Sequence, residues 1–170
     1  DFVVSTVMSN YGFKIAMTDF DFNLIETPVG DKYVAEAMKK NNAKLGGEQS
    51  GHIILSDYLP VGDALLTCLL VLEAIDYFDT SIADFRKKFL IEYPQKLTNI
   101  ELEKSLNDEE LEFINQIALE MSIKLDLDGR YLIRNSGTEP LLRVLVEARS
   151  LELMESFSDE LLSKINNYLN

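Results

Sequence analysis

Seven residues, Arg134-Asn135-Ser136-Gly137-Thr138-Glu139-Pro140, separate two apolar runs, Tyr131-Leu132-Ile133 and Leu141 to Val146. The runs read as strands and the polar stretch as the loop between them, which commits this part of the chain to a strand, a loop and a returning strand. The loop is also rich in anion-binding chemistry. Ser136 and Thr138 carry hydroxyls, Gly137 allows successive N–H groups to turn inward as a nest, and Arg134 and Arg143 offer planar cationic forks. A carboxylate aimed at an anion would be repelled, so Glu139 is expected to turn away and hold an arginine, with Pro140 fixing the exit. The residues alone leave two readings open, a phosphate-holding loop or a decorated hairpin with a surface arginine pair.

At 170 residues and 46% hydrophobic content the chain has room for one large domain or two small ones with packed cores. Sixteen basic against twenty-nine acidic residues give a net charge of −13. Binding of polyanions over a broad surface is disfavoured, and a small anion would have to be caught by locally focused arginines and N–H groups; nucleic acid is not an expected partner. No apolar run is long enough for a membrane span, and the first residues lack the basic region of a signal peptide. The opening Asp1-Phe2-Val3-Val4 reads as mid-strand, which suggests a fragment. The one cysteine, Cys68, cannot form an internal disulfide and falls in an apolar helix, so a buried thiol in a reducing cytoplasm is expected.

Val3 to Val7 reads as a strand entering a loop at Ser9-Asn10, and Phe20 to Ile25 alternates like a second strand. Asp31 is expected to cap a helix through Lys40, with Val34, Ala37 and Met38 on one face. Asp19-Phe20-Asp21-Phe22-Asn23 opens like a calcium loop, but Leu24 and Gly30 stand where glycine and glutamate are needed, and that reading fails. Asp63 starts a helix whose Leu65, Leu66, Leu69, Leu70, Leu72 and Ile75 leave little polar face, predicting a helix sandwiched in the core. A short amphipathic helix follows Thr80. Pro94 breaks the pattern before a strand at Lys96 to Leu102, so the boundary is expected between domains 1–91 and 92–170. Asn107 with Asp108-Glu109-Glu110 starts a helix through Met121, Asp128-Gly129 reads as a tight hairpin turn between Ile123-Leu125-Leu127 and Tyr131 to Ile133, and a closing helix runs from Leu151 to Leu169. The expected fold is an α/β first domain, a mixed sheet with helices, followed by an α+β second domain, an antiparallel sheet with helices on one face.

A second polar segment, Leu45-Gly46-Gly47-Glu48-Gln49-Ser50-Gly51-His52, precedes the strand-like Ile53-Ile54-Leu55. Glu48 and Ser50 lie two apart, so in extended backbone both point the same way. A carboxylate can accept from two vicinal hydroxyls while the serine adapts as donor or acceptor, and Gly47 and Gly51 permit close approach; the plain alternative is a turn with incidental polar residues. His52, the only histidine, reads as a hydrogen-bonded structural residue or as a group that positions or deprotonates an attacking hydroxyl. There is no second histidine, and no cysteine in this segment, to complete a metal site with it. Lys14 and Lys32 could add positive charge near a substrate, although solvated lysines are the default.

Together the two segments resemble the sugar-binding loop and the C-terminal phosphate-binding loop of the α-D-phosphohexomutases. The Gly47-Glu48-Gln49-Ser50-Gly51-His52 wording is most similar to the phosphoglucosamine mutase branch. Thr6-Val7-Met8-Ser9-Asn10, Thr27-Pro28-Val29-Gly30-Asp31-Lys32-Tyr33-Val34 and Val61-Gly62-Asp63 agree and occur in the same order. The chain departs from that branch at Asn135, at Lys32, where arginine is usual, and at Leu59-Pro60-Val61-Gly62-Asp63-Ala64, which replaces a Thr-Thr-Gly-Asp-Gly pattern.

The resemblance implies the third and fourth domains of such an enzyme, the first of them N-terminally incomplete. It implies interconversion of glucosamine 6-phosphate and glucosamine 1-phosphate through a 1,6-bisphosphate. The phosphorylated serine and the aspartate-rich loop that holds magnesium would lie in an N-terminal half, and the isolated chain is expected to be inactive. Asp126-Leu127-Asp128-Gly129-Arg130 only echoes that metal loop. In this chain Glu48, Ser50 and His52 would read the sugar, and Arg134, Asn135, Ser136, Gly137, Thr138 and Arg143 would grip phosphate. The implied partners are the phosphosugar, the N-terminal domains of the same protein, and a homodimer partner that no residue specifies. Alternatives are a phosphomannomutase or phosphoglucomutase, or a phosphosugar-binding module without catalysis.

Overall fold

The computed structural model describes residues 1–126 and 128–169, and the chain divides into two compact units, Asp1–Ile91 and Glu92–Asn170. In the first, β1 (Phe2–Thr6), α1 (Tyr11–Asp19), β2 (Asn23–Thr27), α2 (Asp31–Asn41), β3 (Leu45–Gly47) and β4 (Ile53–Leu55) precede two further helices, α3 (Ala64–Tyr77) and α4 (Ile82–Phe89). The sheet order is β2-β1-β3-β4, with β1 parallel to both neighbours and β4 antiparallel to β3. After β1 the chain steps out to β2 and then returns across β1 to β3. Such a reversal leaves a crevice at the carboxyl ends of the two inner strands, where open α/β sheets bind ligands. Val4, Val34, Met38, Ala43 and Ile54 form the core on the α2 side.

Several local expectations are corrected here. Residues 11–19, unassigned from sequence, form α1, whose start is held by Asn10 Oδ1 accepting from the Gly12 N–H at 3.0 Å. Only Gly12 and Ala16 of this helix are buried, so it lacks the apolar stripe that announces a helix. The second strand begins at Asn23 rather than Phe20, because Asp21 takes a left-handed turn (φ 59°) between α1 and β2. Asp31 is the first helical residue of α2 and Gly30 is its cap. Most of all, α3 is not sandwiched: it starts at Asp63 as expected, with Oδ1 accepting from Leu66 N at 2.7 Å, but none of its residues is buried and Leu65 is 71% exposed. Cys68 is exposed with it rather than buried. Hydrophobicity on all sides predicts burial only if another layer covers the helix, and no such layer exists among the described residues.

The second unit holds β5 (Gln95–Glu101), α5 (Asp108–Met121), a 3₁₀ turn at Ser122–Lys124, β6 (Gly129–Asn135), β7 (Leu141–Ala148) and α6 (Leu151–Leu169). The three strands are antiparallel in the order β5-β7-β6. Helix α5 opens with a capping box, Asn107 Oδ1 accepting from Glu110 N and Glu110 Oε2 from Asn107 N. Ile114, Ala118 and Met121 of α5 and Met154, Phe157, Leu161 and Ile165 of α6 pack on Leu142, Val144 and Val146 of β7, so both helices cover one sheet face. Asp128-Gly129 is not a hairpin turn. Ile123 lies in the 3₁₀ turn rather than a strand, Leu127 lies outside the described residues, and Gly129 already pairs with Ala148 as the first residue of β6. Helix-terminal geometry after Met121 overrides the apparent alternation.

Candidate functional site: two recognition loops

The β6–β7 loop is anchored by Ser136 N–H donating to Leu141 O at 2.8 Å and by Pro140 O accepting from Leu102 N at 2.9 Å. Strand register then does what spacing alone could not show. Arg134 and Arg143 are direct cross-strand partners, so both project from the face opposite the helices. Like charges placed directly opposite destabilise a sheet. Among the described residues no carboxylate pairs with either arginine, and Glu139 is exposed and holds neither, contrary to expectation.

Arg143 Nε, Ser136 Oγ and Asn135 Oδ1 are all buried without a hydrogen-bond partner. Each costs free energy unless something binds it. Nε–H and the serine hydroxyl are donors suited to an anion. Asn135 differs: its amide Nδ2 donates to Leu106 O at 2.8 Å, which leaves an acceptor facing inward, suited to a hydroxyl or water rather than to phosphate oxygen. Gly137 has no left-handed φ, so the nest expected there is not formed, and a side chain at 137 would meet open space. Arg130 and Glu147, also cross-strand partners, pair at 2.5 Å on a fully buried carboxylate and so differ sharply from the Arg134–Arg143 pair.

In the first unit, residues 48–52 form the turn joining β3 to β4. Glu48 N donates to His52 O and Gly51 N to Glu48 O, each at 3.0 Å, and Gly51 takes a φ of 96° that only glycine adopts readily. This turn brings Glu48, Ser50 and His52 together. Ser50 Oγ lies 3.4 Å from Glu48 Oε2, and His52 Nδ1 lies 3.5 Å from both Glu48 Oε2 and Ser50 Oγ. The Glu48 side chain is only 9% exposed, whereas His52 is 64% exposed. Beside them a cavity of about 300 Å³ is lined by Ser5, Ser9, Asn10, Phe13 and Gly47, at the carboxyl ends of β1 and β3. The buried Oγ of Ser5 in its lining has no hydrogen-bond partner.

Two features escaped the sequence. Gly30 N–H donates to Glu48 Oε1 at 2.8 Å across eighteen residues, and Asn99 of β5 pairs with Arg143 from the other side, on the same face. Only strand pairing and tertiary contact reveal them. Of the lysines considered earlier, Lys14 pairs with Glu26 at 2.5 Å, and Lys32 is exposed near Glu36. Among the described residues no group of three or more His, Cys, Asp or Glu could hold a metal ion. No described helix is long and apolar enough to cross a membrane.

Comparison with known proteins places both units in one family. A family model described as phosphoglucomutase/phosphomannomutase, alpha/beta/alpha domain III, matches residues 1–93, and the model for the C-terminal domain matches residues 97–164. The chain belongs to the phosphoglucomutase/phosphomannomutase family. Within it, a phosphoglucosamine mutase of Leuconostoc mesenteroides is 46% identical over 160 residues, covering 94% of this chain and 35% of that protein. One from Bacillus subtilis is 37% identical over 167 residues, covering 98% and 37%. The chain thus spans about a third of the length of these curated relatives. Among solved structures, an N-acetylphosphoglucosamine mutase of Aspergillus fumigatus superposes with a TM-score of 0.81 at 18% identity, covering 99% of this chain and 38% of that one. An N-acetylglucosamine-phosphate mutase in its substrate complex gives 0.76 at 22%, covering 96% and 38%. At such identities the likeness shows the fold alone. The Aspergillus enzyme has also been solved with GlcNAc-6P and magnesium.

Proposed function

We propose that this chain supplies phosphosugar recognition to a phosphoglucosamine mutase, the enzyme interconverting glucosamine 6-phosphate and glucosamine 1-phosphate through a 1,6-bisphosphate. The observation that carries the reading is the facing Arg134–Arg143 pair with buried, unpartnered Arg143 Nε and Ser136 Oγ. A phosphate dianion turns their mutual repulsion into attraction and satisfies both donors. Thr138 adds a hydroxyl, Gly137 leaves the loop open to a bulky anion, and Asn135 braces the loop through Leu106. Glu48, with Ser50, reads sugar hydroxyls, and His52 positions or deprotonates the hydroxyl that attacks a phosphoryl group. The 37–46% identity to phosphoglucosamine mutases supports the amino-sugar assignment over the phosphomannomutase or phosphoglucomutase that the family model's name also admits.

Magnesium and the phosphorylated serine belong, in this reading, to N-terminal domains of the same protein. Magnesium bound there would neutralise charge developing on the transferred phosphoryl group, and the residues of this chain bind and orient. The setting proposed is cytoplasmic, and a homodimer is compatible with it.

The test is calorimetric titration of the chain with glucosamine 6-phosphate, glucose 6-phosphate, mannose 6-phosphate and inorganic phosphate. All phosphate ligands should bind weakly, glucosamine 6-phosphate best, and a coupled assay should detect no turnover even with magnesium and glucosamine 1,6-bisphosphate added. No binding of any phosphate would overturn the reading, and steady turnover would overturn the division of labour.

A further inference from the structure

Helix α2 has no side-chain cap of its own, since Gly30 stands at its N-cap and offers none. A residue from elsewhere takes the place. Glu48 reaches from the β3–β4 turn and accepts the Gly30 N–H on Oε1 at 2.8 Å, with its side chain only 9% exposed. An anion at a helix N-terminus is favoured by both the unpaired N–H groups and the helix dipole. The same contact decides the geometry of the other oxygen: with Oε1 held, Oε2 is the atom left 3.4 Å from Ser50 Oγ and 3.5 Å from His52 Nδ1.

We propose that Gly30 is a positioning residue for sugar recognition. Its N–H fixes the Glu48 carboxylate so that Oε2, Ser50 and His52 present one constellation to the vicinal hydroxyls of an amino-sugar phosphate. This rests on the assignment of Glu48 to the sugar given above. Glycine is required at 30 for a backbone reason, because its φ of 136° is one that L side chains rarely adopt, and an added Cβ would also press on the Tyr33 ring at 3.1 Å. The Thr27-Pro28-Val29-Gly30 segment is thereby part of the recognition apparatus although none of its side chains needs to touch the ligand.

The test removes the Gly30 N–H donor without adding a side chain. Cys68 permits the full 170-residue chain to be assembled by ligating a synthetic 1–67 segment to an expressed 68–170 segment. In one preparation Gly30 is replaced by glycolic acid, which changes the N–H to an ester oxygen while preserving backbone freedom, and Glu48 carries a ¹³C label at its carboxyl carbon. The natural sequence, ligated the same way, is the control, and Glu48→Gln is a third chain. The ester should weaken glucosamine 6-phosphate binding by about tenfold or more, leave inorganic phosphate binding unchanged, and move the Glu48 carboxyl signal. Unchanged affinity for glucosamine 6-phosphate in the ester chain would overturn the proposal. If Glu48→Gln costs nothing while the ester still moves the carboxyl signal, the sugar assignment itself falls and the contact is merely a helix cap. Equal loss for both ligands would mark a folding defect and likewise count against it.

Discussion

Arg134 and Arg143 carry the sharpest residue-level expectations. Because a bidentate guanidinium cannot be replaced by a point-charge ammonium, Arg134→Lys should weaken phosphosugar binding nearly as much as Arg134→Ala, by about 1–3 kcal/mol. Titration calorimetry checks it, and unchanged affinity in either variant removes Arg134 from the site. Glu48→Gln should impair glucosamine 6-phosphate binding while leaving inorganic phosphate binding intact, since Glu48 and the arginines belong to different units. Their assigned roles rest on the family resemblance; their place in loops between strands was legible in the sequence, because glycine-bearing polar runs interrupt apolar ones. Their partners were not. That Arg134 faces Arg143, that Glu139 holds no arginine, and that Glu48 bonds Gly30 all depend on register and on contacts distant along the chain. No local pattern encodes those.

Among the elements, α2 and α3 make an instructive contrast. Helix α2 has a modest apolar face, yet Val34 and Met38 are buried, while leucine-rich α3 buries nothing. Met38→Ala should therefore destabilise the first unit by about 2–5 kcal/mol, whereas Leu69→Glu, at a position 57% exposed, should stay within about 0.5 kcal/mol. Urea titrations followed by circular dichroism would measure both, and a large cost for Leu69→Glu in this chain would show that α3 is covered. The long helices were legible because their start signals are chemical: Asp63 and Asn107 cap α3 and α5. Helix α1 and the three-residue β3 were not, since one has almost no buried face and the other is too short to show a period.

At the scale of the molecule, two units with separate cores should unfold as two cooperative steps. Ile114→Ala should lower only the step belonging to the second unit, by about 2–5 kcal/mol, and a single merged transition in calorimetry would contradict this. Both fold classes could be read in advance because strands alternate with helices early in the chain and pair as neighbours late in it. The arginines that face each other across β6 and β7 have one more consequence, which concerns heat rather than recognition. Without an anion their repulsion opposes the native state, so any phosphate that binds there should raise the melting temperature of the second unit alone. Linkage sets the size: phosphate at a hundred times its dissociation constant adds about 2.7 kcal/mol to native stability. On the proposed assignment of that loop to phosphate, the thermal stability of one unit would double as a gauge of the phosphate concentration around it.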